Sequence, residues 1–191
     1  MNTKTLEQYR IEYKQKKLIT MPIAGTIVWF ILGVMALFIP AKSMVLPMYI
    51  GTGCIFYLAL FISRFTGEKL LVKKEERNPF DSLFLYTLMM SWCGFAIAIP
   101  FGLQNYTAIP MALGIVSGMM WLPISWTLEH NVGLIHTISR TVLCLVTWLI
   151  FPELSYVLIP FIIVAIYIIS LYQLVNRYKA ENEAAMTTQV A

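Results

Sequence analysis

Apolar residues fill the chain in six long runs divided by shorter polar stretches: about Ile19 to Ile39, Met44 to Ser63, Ser82 to Pro100, Ala108 to Ile124, Val132 to Phe151 and Leu154 to Val175. A helix needs about 20 such residues to cross a ~30 Å hydrocarbon core, where helices and closed barrels alone satisfy every backbone N–H and C=O. The pattern predicts an all-α polytopic membrane protein with six transmembrane helices in three hairpins. The fourth run is the least regular, because Pro110 and Pro123 bracket it and a proline has no N–H for the preceding turn. At the third, Asn78 suits the cap, Pro79 the first helical position and Asp81 the first turn, where a carboxylate favours the positive end of the helix dipole.

The remaining segments are an N-terminal tail (residues 1–18), a loop over 64–80 and a C-terminal tail (residues 176–191), none long enough for a second folded domain. Leu6, Tyr9 and Tyr13 stand at helical spacing in the first tail, which fits a short interfacial helix or a solvated segment. That tail is polar and the first apolar run lacks a small-residue cleavage site, so the run is expected to stay as an anchor.

Charge sets the orientation. Five lysines and arginines lie in the N-terminal tail, five in the 64–80 loop and two, Arg177 and Lys179, after the last run, against Lys42 alone on the other side. Positive residues stay inside, so both termini are expected in the cytoplasm, at a cell inner membrane. A net charge of +4 does not imply nucleic acid here, because the basic residues flank apolar runs rather than forming a soluble basic domain. The expected partners are the bilayer, its anionic lipid headgroups, and a second copy or another membrane protein. With 59% hydrophobic and 13% charged residues, against about 25% charged in a soluble domain, any activity belongs in or beside the bilayer. Cys54, Cys93 and Cys144 each fall inside an apolar run without metal-ligand spacing and read as small buried hydrophobes.

The three outer turns look alike. Each carries a proline pair, Pro40 with Pro47, Pro100 with Pro110 and Pro152 with Pro160, and each hairpin has a tryptophan before its first proline: Trp29, Trp92 and Trp148. This fits a triplicated two-helix repeat about a pseudo-threefold axis; helix-starting prolines and interfacial aromatics explain it equally without a repeat. Gly114 and Gly118 form a GxxxG pair suited to close helix packing, within the chain or between two copies.

The candidate chemistry is concentrated in the fifth run. Arg140 lies near mid-depth, since the residues from Thr141 to Phe151 cover only about 16 Å of helix. A guanidinium cannot shed its proton, so it needs a partner. His136 is four residues earlier and Glu129 a further seven, offsets that return to nearly the same helical azimuth and predict a ladder from the cytoplasmic rim inward; His130 points about 100° away from Glu129. The ligand-binding candidates are therefore Arg140, His136, Glu129 and His130. They could line a pocket for an anion, a lipid headgroup or a proton-coupled solute; equally, Arg140 could snorkel to the interface while Glu129 and His130 cap the helix. Catalytic motifs such as HExxH, GxSxG or a P-loop are absent, and a second acidic group at depth is missing, so no enzymatic activity, metal or cofactor is expected.

The first hairpin, from Gly33 through Pro40 and Pro47 to Gly51 and Phe61, resembles units of bacterial acid-resistance membrane proteins that have three such hairpins. The set Asn78, Pro79, Phe80, Asp81, His130, Val132, Gly133, His136 and Arg140 more nearly resembles a family of small bacterial six-span membrane proteins of unknown function. That resemblance implies six helices and carries no activity. The reading of the chain is a non-enzymatic structural or regulatory membrane subunit with a polar pocket on the fifth helix, or else a small solute, ion or proton-coupled transporter using Arg140 and His136.

Overall fold

Prolines and capping side chains decide where the helices begin and break. The structure is a computed structural model that describes residues 4–73 and 76–190, with side chains as far as 182. Its helices are α1 (Leu6–Lys14), α2 (Thr20–Ala36), α3 (Val45–Thr66), α4 (Pro79–Gln104), α5 (Ile109–Met119), α6 (Trp121–Leu128), α7 (Val132–Ile150) and α8 (Ser155–Val190), and there is no strand among the described residues. Five helical segments, Ala41–Thr66, Pro79–Gln104, Tyr106–Leu128, Val132–Ile150 and Pro152–Asn182, are long and apolar enough to cross a membrane; the remaining apolar helix, Thr20–Ala36, has 17 residues. The fourth run is broken between α5 and α6 because Pro123 has no N–H to bond the Met119 carbonyl, and its ring would crowd that oxygen.

Short 3-10 helices, Ala41–Met44, Tyr106–Ala108 and Pro152–Leu154, each precede the second helix of a hairpin. They share one end of the bundle: the Lys42 ammonium lies 5.7 Å from the Tyr106 ring centre, and the Tyr106 hydroxyl is 3.5 Å from Glu153. The α5–α6 segment and α8 are the more buried pieces, whereas α3, α4 and α7 turn much of their surface outward. That surface is apolar, with Phe61, Ile97, Leu103 and Leu149 exposed, an arrangement suited to lipid rather than water. Hairpins are joined by close packing of α5 on α7 and of α2 on α8, while the backbones of α3 and α4 stay apart and meet only through side chains.

The other end gathers the charged segments. Thr5 and Gln8 form a reciprocal capping box that starts α1, and Tyr13 is buried where this helix docks on α4 and α6. The N-terminal tail is thus a docked helix. Asn78 caps α4 by accepting from the Phe80 N–H at 3.0 Å, and donates its amide to the Tyr9 carbonyl at 2.7 Å. Asp81, in the first turn, pairs with Lys16. Helix α2 has no cap from its own chain neighbours; instead the Glu68 carboxylate accepts from the Ile19 and Thr20 N–H groups at 2.9 and 3.2 Å. Arg177 reaches back from α8 to donate to the Lys14 and Lys16 carbonyls, both at 2.7 Å.

Candidate functional site: a buried arginine centre beside a cavity

Helix α7 carries Arg140 and His136 one turn apart on the face packed against α5 and α8, and both are fully buried. Snorkelling is thereby ruled out for Arg140. Its Nη2 donates to the Ser117 hydroxyl at 2.7 Å and its Nη1 to the Tyr167 hydroxyl at 3.2 Å. The guanidinium also lies 5.3 Å from the ring centres of both Trp29 and Tyr167, close enough for the ring quadrupoles to offset part of its desolvation. Among the described residues no carboxylate comes within ion-pair distance of it, and its Nε–H has no partner. A buried cation held by hydroxyls and aromatic faces keeps a net attraction for negative charge.

The proton on His136 follows from its neighbours. The Ser170 hydroxyl donates to the Ile166 carbonyl at 2.9 Å, so at 2.8 Å it accepts from His136 Nδ1–H. Nε2 is then the acceptor that faces Arg140 Nη1 at 3.4 Å. The imidazole is stacked on Trp121, with ring centres 4.0 Å apart and an interplanar angle of 13°. The break after α5 is what turns Trp121 onto that ring, because α6 restarts at that residue.

Glycines make room for the long side chains. A Cβ on Gly118 would come within 2.8 Å of Arg140 Cδ, and one on Gly25 within 2.5 Å of the Tyr167 hydroxyl. The GxxxG pair therefore seats α7 against α5 inside this chain, and Thr137 fastens the contact by donating to the Gly118 carbonyl at 3.0 Å.

The other two predicted residues lie outside this centre. Glu129 does not share a helix with His136: it is the left-handed C-cap of α6, with φ 49°, and α7 starts only at Val132. The azimuth carried back from Arg140 therefore fails at the break. Glu129 instead accepts from Arg10 and Lys14 of α1, both at 3.0 Å, and the hydrogen bond from Lys14, followed by its charge and that of Arg10, holds the carboxyl below its ordinary range. The His130 Nδ1 accepts from the Val132 N–H at 3.1 Å, a local bond that starts α7. The cysteine expectation also divides: Cys144 is buried beside Gly114, while Cys54 and Cys93 are exposed on α3 and α4.

A cavity of about 390 Å³ begins at the charged end, beside Lys16, Lys17 and Lys69, and runs between α2, α3 and α4 to Ser117, Trp121 and Tyr167. Its inner wall therefore includes three of the residues that hold Arg140 and His136. Its size lies within the ~300–1,000 Å³ typical of small-molecule sites. Toward the outer end the gap between α3 and α4 narrows where Phe56 meets Trp92 edge-on at 6.1 Å and the Tyr49 hydroxyl donates to the Ala98 carbonyl at 3.0 Å. Sequence reasoning missed Trp29, Ser117, Trp121, Tyr167 and Ser170. The available signal was a set of polar-tipped side chains within apolar runs, but nothing in one sequence says that four helices bring them together.

The helices, the apolar outer surface and the charged end define a multi-span α-helical membrane protein with a polar centre. The chain belongs to the family of unknown function DUF7010, whose model matches residues 6–177. No curated protein and no solved structure was found to match it.

Proposed function

We propose that this chain is a non-enzymatic regulatory subunit of a bacterial inner membrane, spanning it six times with both termini cytoplasmic, and that it binds a ligand in the cavity beside Arg140. The observation that carries this reading is the shared wall: Ser117, Trp121 and Tyr167 line the cavity and also contact the Arg140 and His136 side chains. An occupant pressed against Ser117, Trp121 and Tyr167 shifts the side chains through which the guanidinium ties α2, α5, α7 and α8 together. Occupancy is then coupled to helix packing by the difference in contact between the two states.

The sixth span in this reading is α2. Its 17 residues give about 25 Å of helix, and Ile19 before it with Leu37 to Ile39 after it extend the apolar stretch, Ile39 still bonding the Met35 carbonyl at 2.9 Å. Transport is the weaker reading. Beyond Arg140 the outer turns are tied together by Ser155 donating to the Thr107 carbonyl at 2.6 Å, Tyr156 to the Tyr106 carbonyl at 2.8 Å and Trp148 to the Thr107 hydroxyl at 3.2 Å.

The test is access to the inner wall. In a background with Cys54, Cys93 and Cys144 changed to alanine, Ser117→Cys is treated with a charged, membrane-impermeant thiol reagent from either side of sealed vesicles made of phosphatidylcholine alone. Labelling from the side bearing the N-terminus is expected. A thiol protected from both sides would sink the binding reading.

A further inference from the structure

Resting on the binding reading, the charge and shape of the cavity narrow its occupant. At the mouth the two carboxylates are already engaged: Glu68 caps α2, and Asp81 pairs with Lys16. Lys17 and Lys69 have no acidic partner among the described residues; the Lys17 ammonium instead lies 5.5 Å from the Tyr178 ring centre. The mouth therefore keeps positive charge at the level where lipid headgroups lie. Below it the walls are apolar, formed by Met21, Ile55, Phe56, Leu88, Trp92 and Phe95 among others. These wall residues come largely from α3 and α4, whose backbones stay apart, so side chains such as the Phe56–Trp92 and Tyr49–Phe95 pairs form the wall there rather than packed backbone. A soluble anion has no use for such walls, and a plain hydrocarbon has none for such a mouth.

We propose that the cavity holds one phospholipid with an anionic headgroup, its phosphate between Lys17 and Lys69 and one acyl chain inserted between α3 and α4 toward Ser117 and Tyr167. The lipid serves as a resident ligand. Its chain end lies against the hydroxyls that hold Arg140, which links the lipid composition of the membrane to the packing of the arginine centre.

Native mass spectrometry of the full chain, released from bilayers containing equal phosphatidylglycerol and phosphatidylcholine with matched chains, tests this. One phosphatidylglycerol is expected to survive activation that strips other lipids. Its preference over phosphatidylcholine is expected to be about thirty-fold, roughly five-fold for each lysine. Lys17→Gln with Lys69→Gln reduces that preference to about two-fold or less while thermal unfolding stays unchanged. Leu88→Trp and Ile55→Trp, which fill the cavity from opposite walls, each abolish retention; either one that elutes as a folded monodisperse species suffices. Equal retention of both lipids, a retained peptide or non-lipid anion, or undiminished retention in a folded tryptophan variant overturns the proposal. If Ser117→Cys is labelled in phosphatidylcholine vesicles yet no lipid is retained, the lipid assignment fails while the binding reading stands; a thiol protected there fails both, whereas protection that appears only with phosphatidylglycerol is the expected result of occupancy.

Discussion

The junctions between hairpins differ in kind. Where α2 meets α8 and α5 meets α7, glycines let the backbones close until Tyr167 and Arg140 fill the space left by missing side chains. Where α3 passes α4, Gly53 has nothing within 4 Å of the place a Cβ would occupy, and aromatic side chains bridge the gap instead. Glycine thus has opposite meanings at Gly25 and Gly53: a requirement of close approach at the first, a spare residue at the second. A membrane supplies little hydrophobic drive between helices, so fit and hydrogen bonds decide which junction closes.

The largest effect should come from the closed side. Gly133→Ala would set a Cβ 2.0 Å from the Trp121 carbonyl oxygen, a backbone atom with nowhere to go; a loss of about 3 kcal/mol is expected in reversible unfolding in mixed detergent micelles. Gly25→Ala, opposed by the end of a tyrosine rather than backbone, should lose about 1–3 kcal/mol. Ser170→Ala takes away the acceptor for His136 Nδ1–H and should cost about 0.6–1.7 kcal/mol. An unchanged midpoint there would mean that the Arg140, His136 and Ser170 relay contributes nothing to holding α7 on α8.

Across the gap the sign reverses. Gly53→Ala should be neutral or stabilising by up to ~1 kcal/mol, because alanine is the better helix former and meets no neighbour. A loss as large as that of Gly25→Ala would show that α3 and α4 are packed together in the membrane, and the contrast between the junctions would collapse.

The smallest effect concerns α1. With Lys14 and Arg10 holding the Glu129 carboxyl below its ordinary range, that contact is fully formed above the usual carboxylate pKa and is lost as pH falls through the lowered value. Hydrogen exchange of the α1 amides should therefore quicken on acidification in wild type, after correction for intrinsic rates, and be largely pH-independent in Glu129→Gln. Equal acid sensitivity in the two proteins would assign the undocking to another group.

The long apolar helices were legible because an apolar run announces each, and Asn78 with Pro79 marked one start correctly. Arg140 and His136 could be placed on one face since the helical period holds without interruption from Val132 to Ile150. The same period misled at Glu129, where one left-handed residue cancels any azimuth carried across it. Pro123 was visible as an irregularity, yet its consequence, a tryptophan turned onto His136, depends on a helix that follows in the chain. The cavity left no mark at all. It exists because the backbones of two consecutive helices stay apart, and a single sequence records what each helix can pack against, not how closely it approaches each neighbour.

Arg177 has a bearing on how such a chain is finished. Its donors close on the Lys14 and Lys16 carbonyls across separations of 163 and 161 residues, and it follows every other buried residue among the described ones in chain order. Until it emerges, the turn at Leu18, held at φ 58°, lacks the two bonds that brace it from the far end of the chain. Chains are made from the N-terminus, so the first helix must wait for the last before it can dock fully. A copy truncated before Arg177 would keep its apolar helices and lose both braces at the Leu18 turn, which leaves the charged end unlatched.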